Sequence, residues 1–181
     1  MTDSGLNETV RAHMIEKIGW AERSVTRMRE SNRAPCEFQD HFWAFLHASR
    51  LIWFYFGRWL DCNGAKGQAG EMLDYWKERH LRASDRRAWD AVTSLRTADV
   101  HVKPVPVTPR ESKAIGIRGG KILVCAGKVV AVSTLTHRVE HDGESLDCLR
   151  LATRSLELLT QFAARFDQLP AEHATAGRRE P

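Results

Sequence analysis

The residues best equipped for chemistry fall in one short run, Ser94-Leu95-Arg96-Thr97-Ala98-Asp99-Val100-His101-Val102-Lys103, where a helical pattern gives way to an extended one. Arg96 and His101 stand five apart, an Arg-x-x-x-x-His pattern. Imidazole exchanges protons near neutral pH, and guanidinium presents a planar, permanently charged fork to phosphate oxygens. The pair suits proton transfer beside a phosphodiester, and Lys103 could hold a neighbouring phosphate. The bland alternative is that Arg96 pairs with a surface carboxylate and His101 caps the C-terminal end of its helix, where a cation is favourable.

Other runs carry weaker signals. His137-Arg138-Val139-Glu140-His141 has the His-x-x-Glu-His spacing of one class of zinc peptidases. That spacing needs a helix, but here it ends a predicted strand, where residues four apart lie roughly 13 Å from each other, so no metal site is expected. Gly116-Ile117-Arg118-Gly119-Gly120-Lys121 lacks the Walker spacing and its following Ser or Thr, and reads as a glycine hairpin turn. The aromatic series from Phe42 to Trp59 could stack bases but at helical spacing reads as core. His47 and Arg50, in the same helix near Asp40 and His41, read as its exposed edge, and Arg82, Arg86 and Arg87, interleaved with Asp85 and Asp90, as a solvated face.

The elements that must position these residues follow from periodicity. Val10, Met14, Ile18, Ala21, Val25 and Met28 form one stripe of a long helix from about Asn7 to Glu30, stopped by Ser31-Asn32-Arg33-Ala34-Pro35. A central core helix is predicted over Glu37 to Leu60, with Phe38, Phe42, Phe45, Ser49, Ile52, Phe56 and Leu60 on one side. A shorter helix runs through Met72, Tyr75 and Trp76, and another from Ser84, read as its N-cap, toward Val100. Three prolines in Val102 to Pro109 enforce an extended connector. Lys113 to His137, rich in Ile and Val and broken at Gly119-Gly120 and Ala126-Gly127, predicts a three-stranded antiparallel meander closed by Asp142-Gly143. A last amphipathic helix follows through Leu146, Leu156 and Phe166.

The fold class expected is mainly α: a four- to five-helix bundle with a small antiparallel β-meander inserted before the last helix. One domain is expected over residues 1–170, the insertion at about 113–137, and a disordered tail over 171–181.

On the Arg96–His101 motif and this layout, the chain resembles the HEPN superfamily from roughly Asn7 to Leu169. These are small helical domains in which an Arg, four to six residues and a His lie late in a four-helix bundle; members include toxin and defence ribonucleases. The resemblance implies RNA as partner and a metal-independent endoribonuclease without a cofactor, in which His101 helps to deprotonate a ribose 2′-hydroxyl and Arg96 steadies the phosphate charge. Thr97 and Lys103 would be substrate-binding residues. An antitoxin-type partner protein is common in the family. Residues five apart on a helix point about 140° away from each other, and family members commonly pair two chains so that both motifs face one cleft. A homodimer is therefore expected. Family enzymes usually carry Asn, Asp or His directly after the Arg, where this chain has Thr97. A non-catalytic helical dimerisation or binding module of the same fold stays open as the alternative.

Composition agrees with one globular unit: 181 residues, 43% hydrophobic and 28% charged. The formal net charge of +4 suits an anionic partner such as RNA and equally a plain solvated surface. The apolar stretch Phe42 to Leu60 is interrupted by His47, Arg50 and Arg58, well short of a membrane span. The polar, acidic start carries no export pattern, so a cytoplasmic location is expected. Cys36, Cys62, Cys125 and Cys148 form no Cys-x-x-Cys pair and read as reduced, small apolar residues.

Overall fold

The computed structural model describes residues 3–101, 106–115, 117–118, 121–122, 124–125, 128–129 and 131–176; side chains are described for residues 5–97, 106–112 and 134–176. Helix α1 spans Asp3–Glu30 and buries the whole stripe from Val10 to Met28. The chain reverses through a turn in which the Ser31 hydroxyl donates to the Arg27 carbonyl (2.7 Å). Helix α2, Pro35–Cys62, starts two residues earlier than the apolar pattern implies. Pro35 occupies its first position, where the missing N–H would be unpaired anyway and the fixed φ already suits a helix. The proline that stops α1 thus begins α2. The two helices form an antiparallel hairpin, and reciprocal amide hydrogen bonds between Asn7 and Asn63 (3.1 and 2.9 Å) tie its open end.

Helix α3 (Ala69–His80) and helix α4 (Ala83–His101) are joined by two residues. Arg86 locks that corner, its guanidinium donating to the carbonyls of Leu81 (3.1 Å) and Glu78 (2.7 Å). Helix α4 begins at Ala83, so Ser84 sits in the first turn instead of capping it. Asp85, also in that turn, is buried and receives the Arg154 guanidinium at 2.8 Å.

The strands follow: β1 (Thr108–Ile115), β2 (Ile117–Arg118), β3 (Lys121–Ile122), β4 (Val124–Cys125), β5 (Lys128–Val129), β6 (Ala131–His141) and β7 (Glu144–Asp147). An antiparallel three-stranded sheet has the order β1-β6-β7, with Thr108 opposite Arg138 and Val139 opposite Leu146. The expected boundaries of the meander, Lys113 to His137, are corrected. The sheet begins at Thr108 and ends at Asp147, and residues 117–129 contribute two separate two-stranded ladders, β2–β3 and β4–β5. The cause lies at Asp142-Gly143: both have positive φ (48° and 77°), a hairpin turn that folds β7 back onto β6 and so extends the sheet. Pro109 is accommodated because β1 is an edge strand among the described residues. Gly119-Gly120 and Ala126-Gly127, read as hairpin turns, lie outside the described residues.

Helix α5 (Cys148–Ala163) is capped by Asp147, whose carboxylate accepts the Arg150 N–H at 2.9 Å. The tail expected to be disordered contains a further helix, α6, Leu169–Ala176; residues 177–181 lie outside the described residues. Two histidine–glutamate contacts hold α6 to α3: His80 to Glu172 (3.2 Å) and His173 to Glu71 (3.1 Å), with Leu169 fully buried. Tertiary contacts therefore override a stretch whose own sequence has little helical signal. The architecture is mainly α, with the small sheet between α4 and the last helices. No helix among the described residues is long and apolar enough to cross a membrane.

Two buried clusters fill the interior. One packs α1, α2, α4 and α5 with Val139 of the sheet; the other gathers Ile52, Trp53, Phe56, Trp76, Trp89, Phe162 and Phe166 at the far end of the bundle. The aromatic series of α2 is largely core, as its spacing predicts, although Phe54 is exposed.

Candidate functional site

Helix α4 is continuous through His101, so the Arg96–His101 motif lies on one helix. Leu95 is buried and anchors that turn against α2 and α5, which leaves Arg96 half-buried at the rim. The Arg96 guanidinium sits 5.6 Å over the Trp53 ring, a cation–π contact between α4 and α2, and its Nε donates to the Thr93 carbonyl at 3.4 Å.

Arg50 completes the setting. It precedes Trp53 by three residues on α2, so the two share a helix face. Burial first, and then the like charge of Arg50, push the Arg96 guanidinium down to about 10. Among the described residues no carboxylate pairs with either arginine. Arg50, expected on the exposed edge of α2, is half-buried, and its charge acts on the motif arginine. The available signal was its i, i+3 spacing to a core tryptophan, which becomes meaningful only once Arg96 is known to lie over that ring.

Two further groups stand out. The Trp53 indole Nε1 and the Thr93 hydroxyl are both buried without a hydrogen-bond partner among the described residues. These are the two residues Arg96 touches. Thr97 is exposed, and its hydroxyl donates to the Thr93 carbonyl at 2.9 Å, so its single proton is already committed within α4. The His101 side chain and all of Lys103 lie outside the described residues.

The other motifs resolve into structure. His137 and His141 both lie on β6, as the strand reading expects. His137 is buried, stacks on Phe38 with ring centroids 3.8 Å apart, and donates from Nε2 to the Asn32 carbonyl at 2.8 Å. That contact fastens the sheet to the α1–α2 turn. His141 instead contacts Asp142 at 3.3 Å. His47 is exposed, as are Arg82 and Arg87, in keeping with solvated faces, whereas Arg86 is spent on the α3–α4 corner.

A cleft of about 1110 Å³ opens elsewhere, between the first half of α4, α5 and the β6–β7 turn, with Arg87, Arg138, Arg150 and Asp85 on its walls. Its central cations are committed: Arg154 to Asp85 and Glu157, and Arg138 to the Ser145 hydroxyl and carbonyl. Neither Arg96 nor Thr97 lines it, whereas Arg138 and His141 do. Comparison of the chain with models of known protein families, with curated proteins and with solved structures finds no match in any of the three.

Proposed function

We propose that this chain is an RNA-binding, HEPN-like protein that cuts RNA without a metal ion, Arg96 steadying the phosphate and His101 exchanging the proton. The observation that carries the reading is Arg96 itself: a half-buried guanidinium held at the end of α4 with no acidic partner among the described residues. A cation kept partly out of water without an acid beside it among the described residues is costly unless an anion is its working partner. In the reaction the ribose 2′-oxygen attacks phosphorus as His101 takes its proton, the bond to the 5′-oxygen breaks, and water protonates the departing oxygen. Charge gathers on the phosphoryl oxygens, where a forked guanidinium stabilises it. Because Arg96 and His101 diverge around α4, two copies of the chain facing each other supply the complete set, and the active species is a homodimer.

The test is incubation of the purified protein with mixed cellular RNA in a metal chelator, beside the His101→Ala and Arg96→Ala proteins. Cleavage by the parent alone is the expected outcome; cleavage that survives in both variants refutes the mechanism. A second reading, a non-catalytic RNA-binding module, is favoured by Thr97, whose hydroxyl proton is taken up by its own helix. Under that reading no preparation cuts RNA, while Arg96→Ala still loses RNA binding.

A further inference from the structure

We propose that Arg50 of α2 and Arg96 of α4 form a two-helix binding site for a phosphate oxyanion, complete within one chain and independent of His101. The inference rests on the RNA-directed reading only for the source of the phosphate, and it adds a ligand-holding residue on a second helix.

Arg96 lies 5.6 Å over Trp53, and Arg50 is three residues before Trp53 on the same face of α2, near enough for its positive charge to act on Arg96. Both are half-buried, and among the described residues neither has a carboxylate partner. Like charges at short range repel, more strongly where water is partly excluded. Arginines around the start of α4 show the usual alternative: Arg154 is paired with Asp85 and Glu157, and Arg86 donates to carbonyls. Among the described residues the Arg50–Arg96 pair has no carboxylate, only the long 3.4 Å bond from Arg96 to the Thr93 carbonyl and the Trp53 ring, and an incoming anion reverses the sign of the interaction.

The second observation is independent of charge. The two residues that Arg96 touches, Trp53 and Thr93, each carry a buried polar atom without a partner, the indole N–H and the hydroxyl. An indole can only donate, while a hydroxyl can donate or accept, so an acceptor is the one kind of group that would satisfy both. Two guanidinium forks beside those groups form a donor set that a tetrahedral phosphate, with several acceptor oxygens and one to two negative charges, fits better than a two-oxygen carboxylate.

The experiment measures thermal unfolding of the full chain in inorganic phosphate against chloride at equal ionic strength, with Arg50→Gln, Arg96→Gln and the exposed α2 variant Arg58→Gln. Phosphate should raise the midpoint of the parent and of Arg58→Gln. The gain should vanish in Arg50→Gln, with phosphate binding about ten- to hundred-fold weaker by calorimetry. In chloride alone Arg50→Gln should unfold no earlier than the parent, because it removes a repulsion. A phosphate response retained in Arg50→Gln, or a midpoint in chloride clearly below the parent's, overturns the site. A further arm adds a short single-stranded RNA. Displacement of phosphate by RNA identifies the nucleic-acid backbone as the source, and binding of phosphate without displacement identifies a small phosphorylated ligand in the same site. Loss of RNA cleavage with phosphate binding intact counts against the ribonuclease reading alone.

Discussion

Replacing Arg96 by Met should make the free protein more stable, a counterintuitive result that follows from the setting of the guanidinium. Its depression from the ordinary arginine range to about 10 corresponds to roughly 3 kcal/mol of penalty on the charged form. Part of the group still meets water, so screening reduces this to about 2 kcal/mol. The contact with the Trp53 ring returns about 0.5 to 1 kcal/mol. Met keeps the apolar stem against Trp53 and removes the charge, leaving a net gain of about 1 kcal/mol, or about 2 to 4 °C in a chain of this size. The sign with pH is fixed. The folded value lies below the unfolded one, so the penalty is fully present below about pH 10 and fades as pH rises from there. The advantage of the variant should therefore shrink in alkaline buffer. Thermal and urea unfolding by circular dichroism, in chloride free of phosphate and sulfate, measures both. An Arg96→Met protein that is less stable than the parent by 1 kcal/mol or more refutes the picture of an uncompensated cation.

Two other outcomes check the fold that holds the site. Phe162→Ala should cost about 3 to 5 kcal/mol in urea unfolding, because Phe162 is fully buried among the rings of Trp53, Phe56, Trp76 and Trp89; a loss under 1 kcal/mol contradicts that packing. Burial, and next the Asp147 carboxylate, push the Cys148 thiol up to about 12, so iodoacetamide at pH 8 should alkylate exposed Cys36 and leave Cys148 untouched until denaturant is added. Equal labelling of the two by mass spectrometry argues against the buried position of Cys148.

What the sequence determined by itself is what repeats along a single element. The stripe from Val10 to Met28 and the aromatic face of α2 bury the residues their spacing selects, since a 3.6-residue period needs no knowledge of the neighbour. The mainly helical class, the small inserted sheet and the strand that carries His137 and His141 follow from the same local logic. Boundaries were legible only where one residue dominates, and even there Pro35 proved to be a helix start and Asp142-Gly143 an internal hairpin turn, because both residue types serve two geometries. The tertiary structure decided the rest. Helix α6 exists through its contacts with α3, which lies roughly ninety residues away in the chain. Arg50 and Arg96 are separated by 46 positions, and the charge of one acts on the other only because α4 packs across the face of α2 that presents Trp53. The motif named one arginine of that pair. The second, and the lack of an acid beside either among the described residues, are properties of three-dimensional neighbourhood, and a one-dimensional pattern of charges cannot distinguish a solvated arginine from one held half-buried against a tryptophan.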